Sequence, residues 1–144
     1  MARDPDLYGD DARVERLLRG TAVWAVVGLS QHAERPAYGV ARMLQSRGKR
    51  IVPVHPRAQT VHGERGYATL ADAVFELGPV DVVDVFVNSS RAGCVVDDAI
   101  AVGAGAVWLQ LDVVDEDAAR RARAAGLEVV MDRCPAIEWP RLVS

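Results

Sequence analysis

Short apolar runs alternate along this chain with stretches whose apolar residues recur at helical spacing. The first run, Val23 to Val27, stops at Gly28. A continuous apolar run of that length reads as a strand buried on both faces. From Pro36 the period changes: Val40, Met43 and Leu44 share one helical face, and Gly48 stands where a helix stops. Ile51-Val52-Pro53-Val54 is the second strand, and Pro53, which lacks a donor, predicts a bulge or a strand end. Tyr67-Ala68 reads as a very short edge strand, and Thr69 as the cap of a helix reaching about Phe75. Residues 82–87 form the third long strand, with Asp81 and Asp84 as polar interruptions, placed on opposite faces by their odd spacing. A helix over about 92–102, capped by Ser89 or Ser90, is broken by Gly103 and Gly105. A strand over 106–111 follows, then a helix capped by Asp115 and closed by Gly126, a strand over 127–131, and a short helix containing Trp139. Ahead of all this, residues 1–9 read as a flexible, polar terminus. Asp10 or Asp11 caps a helix through Arg19, with Val14, Leu17 and Leu18 on one face.

Strands alternating with helices at this spacing predict one α/β domain over residues 1–144. Its expected fold is Rossmann-like and doubly wound: a mainly parallel sheet of five or six strands with helices on both faces. Right-handed crossovers bring the loops at 28–35, 55–57, 88–91 and 110–114 to one edge of that sheet. Ligands of such sheets bind where the strand order reverses, expected here between the first strand and the 82–87 strand.

Half of the 144 residues are hydrophobic and 26% are charged, with a formal net charge of -3. That balance argues against nonspecific nucleic-acid binding, which needs a basic face. No apolar segment approaches the roughly 18 residues of a membrane span, and the N-terminus has no signal-peptide core. Cys94 and Cys134 form no CxxC pair, so two free thiols in a cytoplasmic protein are expected. His32, His55 and His62 have no metal-ligand spacing, and no P-loop, nucleophile elbow or Ser/His/Asp order occurs.

The candidate chemistry lies at the first corner. Gly28 turns the chain off the strand, and the helix opening at Pro36 aims its free N–H groups and positive dipole end at that turn, a place for a phosphate. A dinucleotide fingerprint would have glycines where this chain has Ser30 and Ala33, so only the turn glycine matches. NAD sites also place an acid after the second strand, whereas this strand closes Val54-His55-Pro56-Arg57. Arg57 and His55 suit a 2′- or 3′-phosphate on the ribose, as in NADP or coenzyme A, and spacing does not choose between the two.

Val26-Val27-Gly28-Leu29-Ser30, Glu34-Arg35-Pro36, Ile51 to Pro56, Val83 to Val87, Val107 to Leu111 and Met131-Asp132-Arg133-Cys134-Pro135 together resemble the small stand-alone CoA-binding proteins. Those proteins are similar to the N-terminal CoA-binding domain of the succinyl-CoA synthetase α subunit. The resemblance runs from about Thr21 to Trp139. It implies that Ser30, Gln31, His32, Ala33 and Arg35 contact the CoA phosphates, and that Pro56 and Arg57 flank the adenosine. It also implies that Asn88, Ser89 and Ser90, with Leu109, Gln110 and Leu111, line the pantetheine path. Gly28, Leu29, Pro36, Val54 and His55 complete the candidate site. The synthetase has a Lys just after the second strand, for which Arg57 stands here. Its phosphorylated His belongs to a second domain that these residues do not include, so ligase chemistry is not implied.

The expectation is therefore a module that binds coenzyme A or an acyl-CoA, a small-molecule nucleotide ligand, with no catalytic set. Two alternatives stand beside it: an NADP-dependent oxidoreductase, and an acyl-CoA or CoA-disulfide enzyme using Cys94 or Cys134. A homodimer through an exposed Trp139 and the C-terminal helix, or an unidentified protein partner, is compatible with each.

Overall fold

The apolar runs become β1 (Val23–Val27), β2 (Arg50–Val54), β3 (Val82–Val85), β4 (Ala106–Leu109) and β5 (Glu128–Val130). In the computed structural model, which describes residues 3–143, they form one five-stranded parallel sheet in the order β2-β1-β3-β4-β5. Between them lie α3 (Pro36–Ser46), α4 (Leu70–Leu77), α5 (Ser89–Ala101) and α6 (Glu116–Ala124). They are preceded by α1 (Pro5–Tyr8) and α2 (Asp11–Gly20) and followed by α7 (Pro135–Leu142). The order reverses between β1 and β3, as the sequence predicts for the ligand crevice.

The strands are apolar on both faces because both faces are covered. Trp24, Val26, Val82 and Trp108 point to the layer of α2, α3 and α7. Ala25, Val83, Val85, Val107 and Leu109 point to the layer of α4, α5 and α6. Trp24 and Trp108 meet with ring centroids 5.5 Å apart. Each indole N–H has an acceptor, Thr21 Oγ1 and the Arg133 carbonyl respectively, both at 2.8 Å. Buried indoles need that satisfaction.

Several expectations change. Residues 1–9 read as a frayed end; residues 1 and 2 lie outside the described residues, while Pro5–Tyr8 forms a helical turn with Leu7 and Tyr8 buried. Two apolar residues show no periodicity, but the edge strand β5 supplies partners: Met131 N–H donates to the Tyr8 carbonyl at 3.2 Å. Pro53 makes neither a bulge nor a strand end and stays in register opposite Val26. Because β2 is the edge strand, the donor Pro53 lacks would face away from β1, where its carbonyl accepts from Tyr67 N–H at 2.9 Å. The Tyr67-Ala68 strand shrinks to a single bridge between Val54 and Tyr67. The cap of α5 is Asn88, not Ser89 or Ser90, and the helix starts at Ser89. Cys94 consequently lies in the second turn of α5 and not close to its start.

Candidate functional site

The corner after β1 is built by Gly28. Its φ is +103°, and a Cβ placed there would stand 2.5 Å from the Phe86 carbonyl oxygen, so only glycine fits. Its N–H donates to the Val54 carbonyl at 2.8 Å, while Phe86 N–H donates to the Val27 carbonyl at 2.9 Å. The ends of β2 and β3 therefore close around the end of β1. The next residues on either side are His55 to Arg57 and Asn88 to Arg91.

The loop that leaves Gly28 is tied down by its own polar groups. Gln31 N–H donates to Gln59 Oε1 at 2.9 Å, and Gln31 Nε2 donates to the Thr60 carbonyl at 2.8 Å. Ser30 Oγ accepts from His32 N–H at 3.3 Å, which makes Ser30 a loop-shaping residue whatever else it contacts. Gln31, His32, Ala33, Arg35, Pro36 and Pro56 are exposed along the rim.

Helix ends separate this rim from the rest of the molecule. In α2, α4 and α6 the side chains of Asp10, Thr69 and Asp115 accept a first-turn N–H. Neither α3 nor α5, the helices that follow β1 and β3, has a side-chain cap or an acid in its first turn. A cation stands there instead, Arg35 at the cap of α3 and Arg91 in the first turn of α5. The positive end of a helix dipole favours anions, so a cation beside it is a local conflict that a bound anion resolves.

The arginines tell the same story. Most lie within 4.0 Å of a carboxylate. Of the others, Arg42 donates to Gln45 and Arg47 lies over the Trp139 ring. Arg35, Arg57 and Arg91 are left, exposed and with no side-chain partner among the described residues. All three sit on loops or helix starts at the C-terminal edge of the sheet.

His55 lies among these charges. Its Nδ1 accepts from Arg57 N–H at 3.1 Å, and its own backbone N–H donates to the Tyr67 carbonyl at 3.0 Å. With Nδ1 accepting, the ring proton belongs on Nε2, a donor. Burial pushes the imidazole pKa below its ordinary value, and the positive charges of Arg57 and Arg91 push it further. Arg91, in the first turn of α5, follows β3, which flanks β1 on the side opposite β2, so its loop and that of His55 meet at the same corner.

The remaining candidate residues divide by burial. The side chains of Leu29, Val54 and Leu109 are in the core, so these positions face the rim through backbone only. Ser89 Oγ accepts from Val114 N–H at 3.0 Å and donates to the Asp112 carbonyl at 3.3 Å, binding one loop to another. Asn88 and Ser90 are exposed and bonded to each other at 2.6 Å, and Leu111 is half exposed. Gln110 is buried and donates through Nε2 to Asp84 Oδ1. Asp84 is wholly buried on the central strand, its Oδ2 has no partner, and burial pushes its pKa up to about 8 against the pull of the Gln110 bond. Asp81 does something unrelated, accepting the N–H groups of Ala22 and Val23 at 2.9 and 2.8 Å.

Cys94 is exposed on α5 and Cys134 half-buried at the start of α7. Trp139, expected to be exposed, is half-buried against the core under Arg47 and Lys49. The exposed aromatic is Phe75 on α4. No group of residues able to hold a metal occurs among the described residues, and no helix is long and apolar enough to cross a membrane.

This geometry has close counterparts. The family model described as "CoA binding domain" matches residues 22–140. The protein YneT of Bacillus subtilis (strain 168) is 30% identical over 123 residues, 85% of this chain and 89% of that one. A solved structure of a hypothetical protein from Pyrococcus horikoshii OT3 is 31% identical, with a TM-score of 0.89 over 100% of this chain and 99% of that one. An acetyl-coenzyme A synthetase from Ca. Korarchaeum cryptofilum, solved with phosphate and ADP, is 25% identical with a TM-score of 0.69; the match covers 83% of this chain and 27% of the synthetase. With the family model spanning the whole sheet and the rim around Gly28, the chain belongs to the CoA-binding domain family.

Proposed function

We propose that this protein binds coenzyme A or an acyl-CoA by its phosphorylated ADP moiety and works as a binding module without chemistry of its own. The observation that carries the reading is the set of unpartnered arginines, Arg35, Arg57 and Arg91, around the glycine corner of a family that binds CoA. The diphosphate lies over residues 28–35, where the first N–H groups of α3 lack a side-chain cap and Arg35 adds a positive charge. The adenosine end turns toward His55, Pro56 and Arg57. The pantetheine arm runs past Asn88 and Ser90 toward Leu111, whose side chains are exposed.

NADP would also offer a ribose phosphate to Arg57. The family match favours CoA, and Ser30 and Ala33 stand where a dinucleotide loop has glycine. Isothermal titration with CoA, acetyl-CoA and NADPH tests the reading. Saturable binding of CoA or acetyl-CoA, with NADPH weaker, supports it. No heat from either CoA compound at millimolar concentration, or tighter binding of NADPH, overturns it.

A further inference from the structure

We infer that Arg91 is the second cation of a phosphate-monoester subsite, which it forms with Arg57 around His55 and which makes the protein prefer a ligand with a ribose phosphate to the same ligand without it. The inference rests on the CoA reading and adds to it the residue that reads the ribose phosphate.

Three observations from three parts of the chain meet here. Arg57 follows β2, and its backbone N–H holds the His55 ring by Nδ1 at 3.1 Å, leaving Nε2 as the donor. Arg91 lies in the first turn of α5, after β3, and because β2 and β3 flank β1 in the sheet its loop faces the same glycine corner as the loop of Arg57. Neither guanidinium has a partner among the described residues, although the rest of the molecule engages nearly all its arginines.

A doubly charged phosphate monoester fits this set. It gathers more terminal oxygens on one phosphorus than either phosphorus of the diphosphate link carries, and a planar guanidinium can donate to two of them at once. The charges acting on His55 are those of Arg57 from its own loop and Arg91 from α5, both positive, with no carboxylate to offset them. Two cations beside an imidazole, with no counter-charge, form an unfavourable arrangement that a bound anion relieves. Arg35, at the start of α3, is assigned to the diphosphate instead, so the two groups of phosphates have separate cations.

The test compares CoA with dephospho-CoA, which differs only in lacking the 3′-phosphate. Isothermal titration is run on the full chain, on Arg91→Gln, and on Arg121→Gln as a control for a surface arginine paired elsewhere, with Asp97. Wild type is expected to favour CoA over dephospho-CoA by about tenfold or more, the scale of one lost charge-assisted contact. In Arg91→Gln that preference falls to about threefold or less, through weaker CoA binding, while Arg121→Gln keeps it. Equal affinities for the two ligands in wild type overturn the subsite and leave the CoA reading standing. A preference that survives Arg91→Gln, or a loss shared equally by both ligands, overturns the assignment of Arg91. Failure of wild type to bind either ligand overturns the CoA reading itself. Matching thermal melts for the variants and wild type, expected for exposed positions, confirm that the folded protein is being compared.

Discussion

The two flanks of the sheet treat arginine in opposite ways. Around β5, Arg13 donates to the Val129 carbonyl at 3.0 Å and pairs with Glu128 at 2.9 Å, its side chain only 13% exposed. Arg133 donates to the Gly9 carbonyl, and Arg141 pairs with both Asp11 and Glu138. There the guanidinium is a structural tie joining α1, α2 and α7 to the edge of the sheet. Around β1, the same side chain stands at helix starts, unpaired, beside the wrong end of a dipole. The difference teaches that an arginine's role follows from what already satisfies it: the satisfied ones hold the fold, and the others are the ones we propose for an anion.

The largest expected effect breaks that rule from the inside, since Asp84 keeps one carboxylate oxygen, Oδ2, buried without a partner. Its carboxyl ionises near 3.8 when exposed and near 8 when folded. The folded state therefore holds an extra proton between those values. The stability of the protein falls as pH rises from about 4 to about 8, then levels off. Asp84→Asn removes that penalty and is expected to stabilise the protein at pH 7 by up to about 4 kcal/mol, with no gain at pH 3. Denaturant melts at the two pH values check it; equal gains at both would mean burial of the charge is not the cause.

Gly28→Ala attacks the corner that brings the rim together. The left-handed φ and the contact with the Phe86 carbonyl make a loss of about 3 kcal/mol the expected result, with ligand affinity reduced as well. A thermal melt indistinguishable from wild type would contradict the geometry.

A direct contrast between the flanks follows. Arg13→Met should cost about 2 kcal/mol of stability and leave CoA affinity intact, because hydrogen bonds to the Asp6 and Val129 carbonyls and the ion pair with Glu128 are lost. Arg35→Gln should do the reverse, leaving the melting temperature unchanged and weakening CoA five- to tenfold, about 1 kcal/mol. Raised salt should mimic the second and not the first, since exposed charges are screened more than buried ones. An Arg35→Gln variant with normal affinity, or an Arg13→Met variant that alone loses the ligand, would reverse the contrast.

The smallest effect is spectroscopic. In the free protein the His55 titration midpoint should lie below 6.5, the ordinary value, and Arg91→Gln should move it upward by removing one positive neighbour. Because the folded pKa is depressed, His55 lowers stability as the solution is acidified through the ordinary value. A phosphate bound between the arginines should raise the midpoint, so CoA binding near pH 6 should take up protons. NMR titration of the imidazole with and without CoA gives both shifts, and a midpoint indifferent to Arg91→Gln would place that arginine elsewhere.

Much of this was legible in the residues. Alternating apolar runs and helical stretches disclosed the α/β architecture, and Gly28 with Pro36 marked the corner, because strand burial and helix starts are local properties of a chain. The terminal turn Pro5–Tyr8 was not legible, since its order comes from β5 and Glu116, far away in sequence. Nor was the regular pairing of Pro53, which depends on β2 being an edge. Asp84 looked like a polar interruption; only the packed sheet shows it wholly buried beside Gln110.

Arg91 is the clearest case. As a letter in Asn88-Ser89-Ser90-Arg91 it matches any solvated helix start, and sequence can say only that its loop joins the others at one edge. Whether a guanidinium is already satisfied depends on which carboxylates the fold carries to within a few ångströms of it. The sequence by itself determined the strands, the glycine corner and the family. Tertiary structure alone decided which charges were left over, because pairing is a matter of distance between residues that the chain keeps far apart.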